Sequence, residues 1–199
     1  MTRTRTRPAS RLAGCLLAIT ISSCSSTHVV TQWQDPATAH LVFSKVLTLV
    51  MGGDQSLVRA GEEDLCRQVR KVACKPAYLA MPDSMRSDIP AAKELVRKEG
   101  FDGALVFRVV SAREKVTYGP PSYGPTFWGY YRYAQANPGS YRTDQLVRVE
   151  TAIYSITQDK VLWVGTTETV NPKSLSTLVE DVSKAVRQEL VREGAIPAS

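Results

Sequence analysis

Side chains able to do acid–base, covalent or metal chemistry are sparse in this 199-residue chain, and their spacing sorts them quickly. The two histidines, His28 and His40, have no Cys or Asp at metal-ligand spacing, so no metal site is expected. The acidic run Glu62-Glu63-Asp64 sits in a helical stretch, where adjacent positions point in different directions. It reads as a solvated helix face rather than a paired acid and base. Asp35 stands before Pro36 and Asp102 before Gly103, and a turn accounts for each. No G-x-S-x-G, phosphate-binding loop or dinucleotide fingerprint occurs. These residues compose no catalytic set and imply no cofactor. A hydrolase would require His40 or Asp35 to converge with another polar group in a pocket.

The cysteines carry the chemistry that remains. Ile21-Ser22-Ser23-Cys24 follows a basic stretch with Arg3, Arg5, Arg7 and Arg11, then a short apolar run. The tetrapeptide resembles the lipobox of bacterial lipoproteins, whose cysteine is acylated and becomes the first mature residue. Leu12-Ala13-Gly14-Cys15 matches it in letters, but no apolar run precedes Cys15; a plain secretory signal is the blander alternative. Residues 1–23 are thus expected to be a cleaved signal peptide and 24–27 a lipid-anchored tether. Residues 28–199 are expected to form a single domain. The mature chain keeps 21 basic residues against 19 acidic ones, because residues 1–23 remove four Arg from the 25 Lys and Arg. A balance of +2 gives no basic cluster for phosphates, so nucleic acid is not an expected partner. The membrane is, through the lipid expected on Cys24: stable attachment needs more than one acyl chain, and the lipoprotein modification resembled here implies three.

Cys66 and Cys74 are left as a pair in an exported, oxidising setting. Eight residues apart within one helix they would lie about 12 Å apart, too far to bridge. They can bond only if the helix ends near Lys71 and the chain folds back; otherwise they are two buried thiols.

One further stretch could bind something. Residues 118–141 hold six tyrosines, Phe127, Trp128, four glycines and four prolines, with no period of 2 or 3.6. The long loop expected at 118–140 offers Tyr123, Phe127, Trp128, Tyr130, Tyr131 and Tyr133 as rigid contact area and Arg132 for an acidic group. Its partner would be a protein, a glycan or the lipid interface. A lid over the sheet, or a disordered biased segment, is the competing reading.

The elements that must position these residues follow from pattern. Residues 28–33 alternate as a strand, and 45–51 are apolar on both faces, as in a central strand. Asp54 caps a helix expected over 55–72 with Val58, Leu65, Val69 and Val72 inward. Residues 75–80 read as extended, 90–99 as a helix stopped by Gly100, and 104–110 as a central strand. A hairpin is expected over 142–156 and 160–170, joined by Thr157-Gln158-Asp159 with Asp159 left-handed. Its register places Tyr154 opposite Leu162 and Arg148 opposite Glu168. Asn171 then caps, with Pro172 at the first position, a helix running to about Glu193. The order predicts an α+β fold: a mixed, largely antiparallel sheet with about three helices packed mainly on one face.

Trp33-x-Asp35-Pro36, Gly100-Phe101-Asp102-Gly103-Ala104, the Tyr/Gly/Pro-rich loop and Leu162-Trp163-x-Gly165 together resemble a family of uncharacterised bacterial lipoproteins, a domain of unknown function. More distantly, the Gly-Phe-Asp-Gly-Ala turn and closing hairpin plus helix are similar to the amino-terminal domain of the translocation protein TolB. The periplasmic domain of the curli secretion lipoprotein is another distant likeness. The resemblance implies a cell-envelope protein with a small α/β domain and brings no catalytic residues. Ser25, in place of Asp, lacks the inner-membrane retention signal of the lipoprotein class, which implies the periplasmic face of the outer membrane. The expectation is a non-enzymatic lipoprotein that acts by contact with an unidentified envelope protein in envelope assembly or maintenance. The alternative is a small-ligand or glycan-binding module built on loop 118–140.

Overall fold

The computed structural model describes residues 26–69, 71–82, 85, 88–119, 126 and 140–197. Six strands form one sheet: β1 (Ser26–Gln34), β2 (Lys45–Met51), β3 (Ala73–Pro76), β4 (Gly103–Gly119), β5 (Ser140–Ser155) and β6 (Lys160–Val170). Their spatial order is β1-β6-β5-β4-β2-β3. The β1/β6, β6/β5 and β5/β4 pairs are antiparallel, and β2 lies parallel to both β4 and β3. The expected mixed, largely antiparallel α+β sheet is the fold found.

Two long helices, α1 (Gln55–Gln68) and α4 (Leu175–Arg192), share one face. There Leu65, Phe107, Val149, Ile153, Trp163 and the stripe Leu178, Val179, Val182, Val186 and Leu190 make the main core. Short helices α2 (Ala77–Ala80) and α3 (Ile89–Lys98) belong to a smaller cluster with Leu47, Phe101 and Ala104. Leu47 and Val46 alternate across β2, so this cluster lies on the opposite face, at the β2–β3 end.

The sheet depends on two glycines beside large rings. At Gly103 a Cβ would come within 2.5 Å of the Phe43 ring, and at Gly165 within 2.2 Å of the Trp163 indole. Asp102 binds the turn before β4 to the start of β2, accepting from the Ser44 amide (2.7 Å), the Ser44 hydroxyl (2.5 Å) and the Lys45 amide (3.0 Å). The Gly100–Ala104 and Leu162–Gly165 motifs are therefore packing and turn devices.

Several boundaries depart from expectation, each for a local reason. Helix α1 starts as expected on Asp54, whose Oδ1 accepts from Ser56 N and Leu57 N, but it stops at Gln68 instead of residue 72. Lys71, at φ +64°, turns the chain back towards β3. The extended piece expected over 75–80 splits into β3 and α2 at Pro76. Asn171 is not the cap of α4. At φ +52° it ends β6, accepts from the Gln145 amide and donates to Asp144, while the Ser174 hydroxyl caps the helix. The β5–β6 register does place Arg148 opposite Glu168, but a bulge between Ile153 and Tyr154 shifts Tyr154 to Val161 instead of Leu162. Asp159 is left-handed (φ +51°), within a turn over residues 156–159 that is one residue longer than expected.

The largest departure is at β4 and β5. The strand expected to end at 110 runs to Gly119, and its partner begins at Ser140, so Tyr118 pairs with Tyr141 in the ladder. The connection narrows to residues 120–139. Strand β1 likewise begins at Ser26, so the tether expected over 24–27 gives its last two residues to the sheet.

Candidate functional site

The acidic run does not form a solvated face. Glu62 is 2% exposed and Asp64 is 6% exposed. The Glu62 carboxylate accepts from Tyr78 N at 2.9 Å and Val50 N at 3.4 Å, and its carbonyl accepts from the Thr48 hydroxyl at 2.9 Å. Pairing of β2 with β3 ends at Pro76, which has no N–H, and Glu62 receives amides just beyond that point. It acts as a strut between α1, β2 and α2. Asp64 is held by Arg67, and only Glu63 faces solvent, bonded to the Tyr78 hydroxyl. The sequence signal was available in principle: position 62 lies three residues before the buried Leu65, on the same helix face.

The other acid–base candidates have structural partners. Asp35 accepts from Lys160 Nζ (2.5 Å), the Thr38 hydroxyl (2.8 Å) and the Ala37 amide (3.2 Å). The Lys160 hydrogen bond first, then those from Thr38 and Ala37, hold its carboxyl down at about 2. The His40 ring nitrogen Nδ1 lies 3.1 Å from the Gly194 carbonyl, and His28 lies on exposed β1. Burial works to raise the Asp102 carboxyl, but hydrogen bonds from Ser44 and Lys45 outweigh it and leave it low. Among the described residues no group of three or more His, Cys, Asp or Glu could hold a metal ion.

Cys66 and Cys74 are bonded, with Cα atoms 5.5 Å apart. The early stop of α1 and the reversal at Lys71 make this reach possible. The loop they close also forms one wall of a cavity of about 460 Å³ between α1, α4 and the sheet. Phe43, Val69, Val72, Leu105 and Ile196 make that cavity largely apolar, and Lys184 stands on its rim. The Thr151 and Ser183 hydroxyls in its walls have no hydrogen-bond partner among the described residues. Its volume falls within the ordinary range of small-molecule sites.

A second feature lies at the other end of the sheet. Ser26 pairs with Val170, Val170 with Leu146, and Leu146 with Arg113, so these four residues form one row. Beyond it, among the described residues, only β4 and β5 continue, as a two-stranded ribbon from Glu114↔Gln145 to Gly119↔Ser140. The chain's N-terminal segment leaves the sheet from the same row. The candidate binding residues Tyr123, Phe127, Trp128, Tyr130, Tyr131, Arg132 and Tyr133, and the lipidation candidate Cys24, lie outside the described residues. No described helix is long and apolar enough to cross a membrane.

No protein-family model matches the chain, and no curated protein does. Solved structures of similar outline include the PelC dodecamer from Paraburkholderia phytofirmans, at 11% identity over 88% of this chain and 100% of that one, with a TM-score of 0.46. Lipoprotein GNA1162 from Neisseria meningitidis is similar at 17% identity over 75% of this chain and 99% of that one, with a TM-score of 0.38. The hypothetical protein CT253 from Chlamydia trachomatis is similar at 10% identity over 77% and 98%, with a TM-score of 0.38. At such identities, with TM-scores below 0.5, these likenesses carry no functional inference.

Proposed function

We propose that this protein is a non-enzymatic lipoprotein of the bacterial cell envelope. It is anchored through acyl chains on Cys24 at the periplasmic face of the outer membrane, and works by contact with another envelope protein. The observation that carries the reading is the start of β1. A full strand begins at Ser26, two residues after the cysteine of the lipobox-like tetrapeptide, so cleavage before Cys24 would release a chain whose fold begins almost at once. Processing at Cys15 would instead leave most of the apolar run on the mature protein. The polar candidates support the non-enzymatic part, because Glu62, Asp35 and Asp102 each have a bonding role in the fold.

The test is metabolic labelling with palmitate, together with the intact mass of the protein from membranes. Label should be lost in Cys24→Ser and kept in Cys15→Ser, and the labelled protein should fractionate with the outer membrane. Label on Cys15, or none on the wild type, rejects the anchor. The contact part is tested by crosslinking in native membranes with residues 120–139 replaced by a short Gly/Ser link; a specific partner lost with that replacement supports it.

The cavity favours a second reading, a small-ligand module whose site is the space between α1 and α4 instead of the aromatic loop. Native mass spectrometry of the purified protein should then show a retained adduct that Val72→Trp, at the cavity wall, removes.

A further inference from the structure

We infer that the β4–β5 ribbon rests on the surface of the membrane that holds Cys24, so that the lipid headgroup layer is its first contact. The inference rests on the lipid anchor proposed at Cys24 and adds an orientation to it. The row Ser26–Val170–Leu146–Arg113 fixes where the tether leaves the sheet. From Cys24 to Ser26 is two residue steps, which span at most about 7 Å when fully extended. Past that row the ribbon adds six residue pairs, Glu114↔Gln145 through Gly119↔Ser140. At about 3.3 Å per residue it projects roughly 20 Å. The ribbon therefore points out of the tethered end and is about three times as long as the tether. To keep it clear of the headgroups the domain would have to tilt by some tens of degrees on that short tether.

The ribbon's own chemistry fits such a contact. Among the described residues no third strand and no helix accompanies it: β6 stops opposite Leu146, and β2 stops opposite Arg108. Glu114, Lys115, Val116 and Thr117 on one strand, and Arg142 and Thr143 on the other, are exposed. A two-stranded hairpin standing alone in water is marginal, so an outside surface that packs against it is a stabilising element. Arg113, Lys115, Arg142 and Lys173 on the ribbon and beside the row outnumber Glu114 and Asp144. Anionic headgroups attract that excess. The ribbon also keeps the cavity at the far end of the sheet away from the bilayer.

The experiment uses the full acylated protein, whose other mature cysteines are bonded or lipidated, with single thiols introduced for a fluorescent label. Thr117→Cys and Thr143→Cys probe the two ribbon strands, and Gln158→Cys in the β5–β6 turn probes the opposite end. Each is placed in vesicles of phosphatidylethanolamine and phosphatidylglycerol containing a lipid with a nitroxide on its headgroup. We expect quenching at positions 117 and 143 to exceed that at 158 at least threefold, and to vanish when the quenching lipid is omitted. Equal quenching at all three positions, with intact mass showing Cys24 acylated, overturns the ribbon contact and leaves the anchor standing. An unacylated Cys24 overturns both. Labels at 117 and 143 that are shielded from aqueous iodide without any lipid show the ribbon covered by a second copy or another protein, which also overturns it.

Discussion

Alanine at Gly165 would place its Cβ 2.2 Å from Cη2 of Trp163, 2.7 Å from Cζ2 and 2.9 Å from Cζ3. Carbon atoms in favourable contact sit about 3.5–4.0 Å apart, so the indole must move by more than an ångström. Little room exists for that. Trp163 is 0% exposed within the main core, and its Nε1–H donates to Glu193 Oε2 at 3.3 Å. Overpacking a filled core typically costs about 1–3 kcal/mol, and a clash with a rigid bicyclic ring held at its far edge belongs at the top, near 3 kcal/mol. Trp163→Leu should itself cost about 2–4 kcal/mol through the void it leaves. In that background, however, the new methyl meets no ring, and Gly165→Ala should cost less than about 1 kcal/mol. The coupling between the two sites is then about 2 kcal/mol. Urea unfolding followed by far-ultraviolet circular dichroism measures it for all four members of the cycle. With a slope of about 2 kcal/mol per molar, Gly165→Ala alone lowers the midpoint by about 1.5 M. Costs that add to within about 0.5 kcal/mol would refute the claim that Gly165 exists to admit the Trp163 ring.

Reducing the Cys66–Cys74 bond, or replacing both residues by alanine, should lower stability by about 2.5 kcal/mol from loop-closure entropy; denaturation with and without dithiothreitol measures it, and the double-alanine variant should no longer respond to reductant. Glu62→Ala strands two amides next to a buried helix face and should cost roughly 2–4 kcal/mol, whereas Glu62→Gln, which keeps an acceptor oxygen, should cost clearly less in the same unfolding assay. Asp35, held at about 2 in the fold against an ordinary value near 4, contributes stability that is fully present above about pH 4 and is lost as pH falls towards 2. Lys160→Gln should flatten that part of an acid-unfolding curve, and an unchanged curve would dismiss the pairing as a stabilising one. Arg148→Ala should cost no more than about 1 kcal/mol and cost nothing further in a Glu168→Ala background, because the pair is a half-exposed cross-strand bridge.

Elements marked by local chemistry were legible in the sequence, and elements decided by a distant partner were not. The Asp54 cap, the stop at Gly100 (φ +76°), the left-handed Asp159 and the α4 stripe all follow from residues that meet within a few positions. Arg148 falls opposite Glu168 as expected because two departures offset each other: the turn is one residue longer, and the bulge between Ile153 and Tyr154 restores the register beyond it. The end of α1 was not legible. Residues 69–72 continue an apolar helical pattern, and what removes them from the helix is the pairing of β3 with β2 and the bond to Cys74. Asn171 reads as a cap from its neighbour Pro172, yet its side chain is committed to Gln145 and Asp144, 26 and 27 residues away. Residues 112–117 lack a clean period because both faces of the strand meet solvent there, and alternation is imposed only where one face is buried. Glu62 was misjudged because an acidic run suggests water, and burial of a carboxylate is decided by which amides converge on it.

The apolar cavity and the β4–β5 ribbon lie at opposite ends of the same strands, and this separates the functional readings physically. Along β5, Thr151 and Ile153 of the cavity wall stand five and seven residues from Leu146, the β5 member of the tethered row. That is roughly 17–23 Å. An acyl chain attached at Cys24 starts within about 7 Å of Ser26 and would have to travel that distance over the α4 face before entering the cavity. The anchor proposed on Cys24 would therefore be a poor occupant, and an adduct found there would come from solution or from a partner. The same separation leaves the face of β1, β6 and β5 opposite α4, with Arg148, Glu168 and Glu150, apart from both the membrane contact proposed for the ribbon and the cavity. On the proposed anchoring that polar face stands to the side of the domain, open to a protein partner held at the same membrane. Charge reversal at Arg108, which pairs with Glu150 there, should weaken a crosslink to such a partner without altering either palmitate labelling or label quenching at position 117. Loss of the crosslink only when residues 120–139 are replaced would instead assign the partner to the membrane side.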